Sequence, residues 1–364
     1  MRLVPIGVQA ADHRRAGRLV RALASATALV TGLIVVAGCG FFGGSSAPAP
    51  PPVKADITVA ETPNVGDAPL FMALQQGFFR SAGVNVHIIN YTSARAELRD
   101  LRAGKVDVAY GDYADMFYAQ AQALSLAKGN AAKANVNLVI VADGYDAVQN
   151  AMEVLTLPKS GIVNPKNLVG KTVGTAPAEV MPQGTPGLPY SLDTVATQSV
   201  LTNDNVQPST IHWHALPSQA LLPSLATGKV KAILATEPTI FDAESQLGAV
   251  PVLDSCTGAT ANLPLFGYFS LRSFADRNHA GLVAFHSALN KAQAAASASS
   301  SAVRATLEGS QGMSVADASL LTIGQFPTTV SASNLQRVVS IMFELGAIPN
   351  ISGNQLQVQR MIFH

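Results

Sequence analysis

From Asp56 onward, short runs of β-branched and apolar residues alternate with stretches in which apolar residues recur every three or four positions. That is the pattern of parallel α/β units. Residues 57–60 predict a strand. The loop through Asn64, Gly66 and Asp67 leads into a helix with Asp67 as N-cap, Pro69 in its first turn and Leu70, Phe71 and Leu74 on its inner face before Gly77. The pattern then predicts a strand over 84–89 and a helix capped by Ser93 that carries Leu98 and Leu101 and stops at Gly104. A strand over 106–110 and a helix capped by Asp112, running to about Lys128, follow.

A second unit of the same kind comes next. Residues 138–141, 154–157, 171–175, 211–216 and 230–235 read as strands, with a helix over 191–202. Leu222, Leu225, Gly228, Lys229 and Val230 repeat the spacing of Leu98, Leu101, Gly104, Lys105 and Val106, each set a helix, a glycine stop and a strand. Such self-similarity points to two lobes built alike. Beyond about Pro264 the pattern gives a strand over 267–271 and two helices with apolar faces, one through Leu282, Phe285 and Leu289, the other through Leu335, Val338, Val339 and Met342. The Ala/Ser-rich run 294–301 reads as the exposed end of a helix.

The first fifty residues do not share this pattern. Arg14, Arg15, Arg18 and Arg21 precede an apolar run over 22–36, which is short for a bilayer span and ends in Val36-Ala37-Gly38-Cys39. A basic flank, an apolar middle and small residues before a cut make a secretory signal over 1–38, and the tetrapeptide resembles the bacterial lipobox, whose cysteine becomes the lipidated first residue. Cys39 is therefore the expected lipidation site. The Gly/Ser/Pro-rich stretch 39–53 reads as a tether. The export route, general or twin-arginine, is left open by the residues around Arg14-Arg15.

The 364 residues suffice for about two domains. Hydrophobic residues make up 48% and charged residues 13%, too apolar for a disordered or nucleic-acid-coating chain. Five Arg and one Asp leave with residues 1–38, so a formal charge of +1 becomes −3 and no polyanion partner is implied. Cys39 and Cys256 are the only cysteines, which rules out a disulfide framework.

No catalytic signature is present. The chain has no Gly-x-Ser-x-Gly elbow, no Walker loop and no His-Glu-x-x-His. Gly170-Lys171-Thr172 has Pro165 where a phosphate loop needs glycine. His212 and His214 flank Trp213 on one strand face and His279 and His286 share a helix side, but neither pair has the further ligands of a metal site. Cys256 reads as a buried apolar residue. No cofactor or metal is expected. In open α/β sheets small molecules bind beyond the C-terminal ends of strands, near helix N-termini. Those loops carry Asn64, Asp67, Ser93, Arg95, Asp112 and Tyr113 in the first unit, Thr175 and Glu237 in the second.

Several blocks resemble substrate-binding proteins of ABC importers, the group handling nitrate, sulfonates, taurine and thiamine precursors. They are the lipobox, Asp67-Ala68-Pro69-Leu70-Phe71-Met72-Ala73 running to Gly77-Phe78-Phe79, Leu101-Arg102-Ala103-Gly104-Lys105-Val106-Asp107-Val108, the run 168–174 (LVGKTVG), and Leu225-Ala226-Thr227-Gly228-Lys229-Val230 leading to Glu237-Pro238. The resemblance implies a type II periplasmic-binding-protein fold: two α/β lobes, each an open, mostly parallel sheet flanked by helices, joined by two crossing strands, with ligand in the cleft. By that analogy the first lobe is 54–143, the second 144–254, and 255–364 returns mainly to the first. It also implies a monomeric, non-enzymatic lipoprotein on the outer face of the cell membrane that passes a small molecule to permease and ATPase subunits. For the ligand, a sulfonate or nitrate site wants cationic donors, and Arg95 is the one such residue at the expected rim. Asp67, Asp112 and Glu237 with Tyr113, Tyr145 and Tyr190 better suit a neutral or cationic heterocycle of the pyrimidine type. The alternatives are an orphan ligand-sensing lipoprotein and an enzyme like the fungal pyrimidine synthases, whose cysteine-rich iron motif this chain lacks.

Overall fold

The computed structural model describes residues 55–177 and 191–364. Cys39, the expected signal and tether, and Tyr190 lie outside them. The chain begins β1 (Ala55–Glu61), α1 (Ala68–Gln75), α2 (Phe78–Ser81), β2 (Val84–Asn90), α3 (Ala94–Arg102), β3 (Val108–Asp112), α4 (Tyr113–Leu126) and β4 (Leu138–Asp146). It continues through β5 (Met152–Thr156), β6 (Thr172–Thr175), α5 (Leu192–Asn203), β7 (His212–Ala215), α6 (Ser218–Ala226), β8 (Ala232–Thr236), α7 (Thr239–Leu247) and β9 (Val250–Asp254). It closes with β10 (Pro264–Leu271), α8 (Arg272–Arg277), α9 (His279–Ala298), α10 (Ser300–Gln311), α11 (Val315–Leu320) and α12 (Ala332–Glu344).

The strands form two five-stranded sheets, ordered β2-β1-β3-β10-β4 and β7-β6-β8-β5-β9. In each, the first three strands are parallel and the fourth is antiparallel to both neighbours. Four strands thus run one way and one is reversed, so the sheets are mixed, a point that apolar runs cannot reveal. The reversed strand is always the newcomer. Leaving β4, the chain crosses over and enters the second sheet as β5; leaving β9, it crosses back and enters the first as β10. The crossings are bonded to each other, with Ala147 N donating to Leu263 O at 2.9 Å and Ser255 N to Met152 O at 2.8 Å.

Burial follows from this order. All nine residues of β4 and all five of β5 are buried, as expected for strands covered on both faces. The larger apolar cluster gathers the first sheet, α1, α4, α5, α9 and α12, with Phe79 stacked on Phe285 at 5.1 Å. A smaller one joins Leu155 and Ile233 to Leu221 and Leu225 of α6 and Ile240 of α7.

The repeated helix-glycine-strand units prove structurally equivalent. α3 and α6 end at Gly104 (φ +67°) and Gly228 (φ +71°), a left-handed conformation that glycine adopts without strain, and each leads to the third strand of its sheet. The strand after Gly104 starts at Val108, two residues later than the pattern predicts. Lys105 N is still bonded to Asp100 O, closing the helix, and the ladder begins when Asp107 N reaches Thr58 O at 2.9 Å. The cap of the first helix also differs from expectation. Asn64 Oδ1 accepts from Gly66 N at 2.8 Å in the preceding 3-10 turn, while the Asp67 carboxylate accepts from Asn64 N at 3.1 Å and caps no amide of α1. Ser93 stands at the N-cap of α3 without a side-chain cap bond.

Leu101 and Leu225 are the buried anchors of the two units. Leu101→Ala and Leu225→Ala are each expected to cost about 2–5 kcal/mol in denaturant unfolding. A cost well under 1 kcal/mol at either would show that its helix is not fixed to its sheet by this contact.

Candidate functional site

Because both sheets point the C-terminal ends of four strands toward the crossings, the loops of the two halves face one another there. Between them lies a cavity of about 280 Å³, at the lower edge of the usual range for small-ligand sites. The first sheet lines it with Thr62–Val65 after β1, Tyr110–Asp112 at the end of β3, Tyr145 of β4, and Ala94, Glu97 and Asp115 of α3 and α4. The reversed strands contribute their beginnings, Leu265 and Phe266 of β10 and Met152 of β5. From the other side come Ala176 and Pro177 after β6, Ser191 to Asp193 at the start of α5, and Thr236 and Glu237 after β8. Thr322, beyond α11, completes the wall.

Of the residues expected from sequence, Asn64, Asp112, Tyr145 and Glu237 line this cavity. Asp112 caps α4, its Oδ1 accepting from Asp115 N at 3.0 Å. Glu237 accepts from Thr322 N at 3.0 Å and from Phe241 N at 3.2 Å. Tyr145 accepts from Gly324 N at 2.6 Å. The other expected residues are placed elsewhere. Tyr113 points into the core and donates to Asp143 Oδ1 at 2.8 Å. Thr175 is wholly buried, its hydroxyl 3.4 Å from Ala176 O. Asp67 is buried behind the wall, Ser93 sits beside the lining residue Ala94, and Arg95 is exposed outside the lining.

The lining holds five carboxylates, Glu97, Asp112, Asp115, Asp193 and Glu237, and no Lys, Arg or His among the described residues. Burial drives the Asp112 pKa well upward, and repulsion from Asp115 and then Asp193 adds to it. Burial also raises Asp193, against the pull of Ser191 and Thr194 N, and raises Glu237, against the amides of Thr322 and Phe241. Glu97, Asp115 and Asp193 escaped the sequence reading. The spacing of Asp115, three residues after the cap Asp112, and of Asp193, two after Ser191, marks helix first turns and was the available signal.

Behind the Asn64 loop a second acidic pair is walled off completely. Glu61 and Asp67 are both fully buried; Gln311 Nε2 donates to both Asp67 oxygens at 3.1 Å. Burial pushes Glu61 up to about 7; burial and then the neighbouring Glu61 push Asp67 up to about 8. Carboxyls whose folded pKa lies above the unfolded value hold protons that the unfolded chain has released. Their stabilisation is complete below the unfolded pKa and is lost as pH rises through the folded one. The melting temperature should therefore fall from about pH 5 to about pH 9, and Asp67→Asn should flatten that decline and raise the melting temperature at the alkaline end. A wild-type profile that is flat or rising over this range would show that the pair stays ionised.

Residues 50–307 match the model of the NMT1-like family. No curated protein matches the chain in sequence. Solved structures do share its fold. The periplasmic aliphatic sulphonate binding protein SsuA from Escherichia coli superposes with a TM-score of 0.66 at 16% identity, covering 85% of this chain and 98% of that one. The alkanesulfonate-binding protein SsuA from Xanthomonas axonopodis pv. citri, bound to MOPS, gives 0.62 at 16% identity, covering 84% and 97%. The periplasmic nitrate-binding protein NrtA from Synechocystis gives 0.63 at 13% identity, covering 85% and 86%. At such identities the likeness is one of architecture, two mixed α/β sheets in the manner of periplasmic binding proteins. With the family model spanning most of both sheets, the chain belongs to the NMT1-like family.

Proposed function

We propose that this protein is a lipid-anchored, extracytoplasmic solute-binding protein that captures a small organic molecule between its two lobes and delivers it to the permease of an ABC importer. The observation that carries the reading is the cavity itself, walled by loops of both sheets at the place where the chain crosses between them. Closure of two lobes on a solute is a two-state equilibrium biased by the contacts made only in the closed form. The lobes are assigned as 54–143 and 144–254, with 255–364 returning mainly to the first. Cys39 carries the lipid after removal of residues 1–38, and 39–53 tethers the body as a monomer. No helix among the described residues is long and apolar enough to cross a membrane.

Binding without catalysis is favoured by the one cysteine of the body. Cys256 is buried, and burial pushes its thiol up to about 12, far from a poised nucleophile or iron ligand. The neighbours' sulfonates and nitrate, together with pyrimidines, are the solute classes to try first. A specific solute at 100 times its dissociation constant adds about 2.7 kcal/mol of stability, so a melting screen over small metabolites should show a clear rise with one class. A flat screen across all classes would count against solute capture. Mass spectrometry of the membrane-extracted protein should find an acylated Cys39 as the first residue; an unmodified Cys39 would refute the lipid anchor.

A further inference from the structure

Resting on the reading of the cleft as a solute site, we infer that the solute is a small organic cation. Its ammonium or amidinium N–H groups sit among Asp112, Asp193 and Glu237, and its body lies against Tyr110, Tyr145 and Phe266.

Charge is the first reason. Acidic side chains enter the cavity from both halves, and no described lining residue is cationic. Arg95, the one basic residue expected at the rim, is exposed outside the lining, and the sequence of 178–190 contains no Lys, Arg or His. The partners of the three named carboxylates are neutral: Asp115 N for Asp112, Thr194 N and the Ser191 hydroxyl for Asp193, Thr322 N and Phe241 N for Glu237. These bonds position the carboxyl groups, and none of the partners is a counter-ion.

The second reason concerns the usual home of an anion, where carboxylates already stand. Sulfonate or nitrate in an α/β cleft is held by the free amides of helix N-termini. Here one first-turn amide of α4, Asp115 N, is engaged by Asp112 and one of α5, Thr194 N, by Asp193, and in the β1–α1 turn Gly66 N is taken by Asn64 and Asn64 N by Asp67. An anion would meet carboxylates where it needs donors.

The third reason is the wall opposite. Tyr110 and Phe266 stack at 5.6 Å, an aromatic surface suited to a cation. Tyr110 is 1% exposed, and its hydroxyl donates a long bond to Asn64 Oδ1 at 3.5 Å, which holds its ring face in place in the wall.

The test is calorimetric titration and melting of the purified protein with matched probes: benzamidine, 2-phenylethylamine, agmatine and putrescine against benzenesulfonate, ethanesulfonate and nitrate. At least one cation should bind, with an affinity that falls with added salt and drops roughly tenfold or more in Asp112→Asn and in Asp193→Asn. Both variants should keep or raise the melting temperature of the free protein, since each replaces a carboxyl disfavoured by burial. Binding of a sulfonate or nitrate with none of a cation would overturn the cation and leave the cleft a solute site. Cation binding unaffected by both substitutions would place it outside this cavity and overturn the inference as well. Stabilisation by Ca2+, Mg2+ or Zn2+ alone, with no response to the amines, would replace the organic cation by a metal. Silence across both probe sets rejects the cation class, while solute capture stays subject to the wider melting screen.

Discussion

Each sheet of this molecule is completed by a strand that belongs, by sequence, to the far side of a crossing. Between β3 and β4 there is a gap of one strand width, and β10 fills it, pairing antiparallel to both. Between β8 and β9 the same gap is filled by β5. A buried sheet cannot leave that row of amides and carbonyls unpaired, so the first sheet is closed only after the chain has passed through the second. The exchange fixes where the crossings lie, and the crossings fix where the loops of the two halves confront one another. The cavity is a product of this closure.

Acidity is concentrated around that cavity in two layers. In front, carboxylates at helix starts look into the opening; behind, Glu61 and Asp67 are packed with Tyr268, whose hydroxyl has no partner. The two layers are joined through Asn64, which lines the cavity, donates its backbone N–H to Asp67 and accepts from Gln311 Nε2 at its carbonyl. Charge placed in the opening is therefore felt by buried groups that never touch it, through a low-dielectric wall one residue thick.

Much of the fold was legible because it is written in local terms. Strands rich in Val and Ile, glycine stops at Gly104 and Gly228, and the Asp112 cap all act within a few residues of themselves. What was not legible is non-local. The reversed direction of β5 and β10 leaves no trace in a buried apolar run. β9, with Pro251 as its second residue and a half-exposed face, lacks a strand's usual composition, and it escaped notice together with α7. At the site the difficulty was one of side-chain direction. Tyr113 follows the end of β3 and Thr175 is the last residue of β6, as a binding residue would be, yet each turns inward, Tyr113 because a buried acceptor, Asp143, waits in the core. Asp115 and Asp193 were hidden for the opposite reason, since an acid in the first turn of a helix has an ordinary explanation in the helix dipole.

The segment after α11 has one more consequence. Gly324 N and Gln325 bind it to Tyr145 and Asp146 of the first sheet, while Thr322 N binds Glu237 of the second. Any motion that parts the two sheets must break the contact with Glu237, because the segment is held to the other side by three bonds. These residues lie beyond position 307, where the likeness to the family model stops. How firmly the two sheets are held together beside the cavity is thereby set by a stretch of chain that the match to the family model does not include.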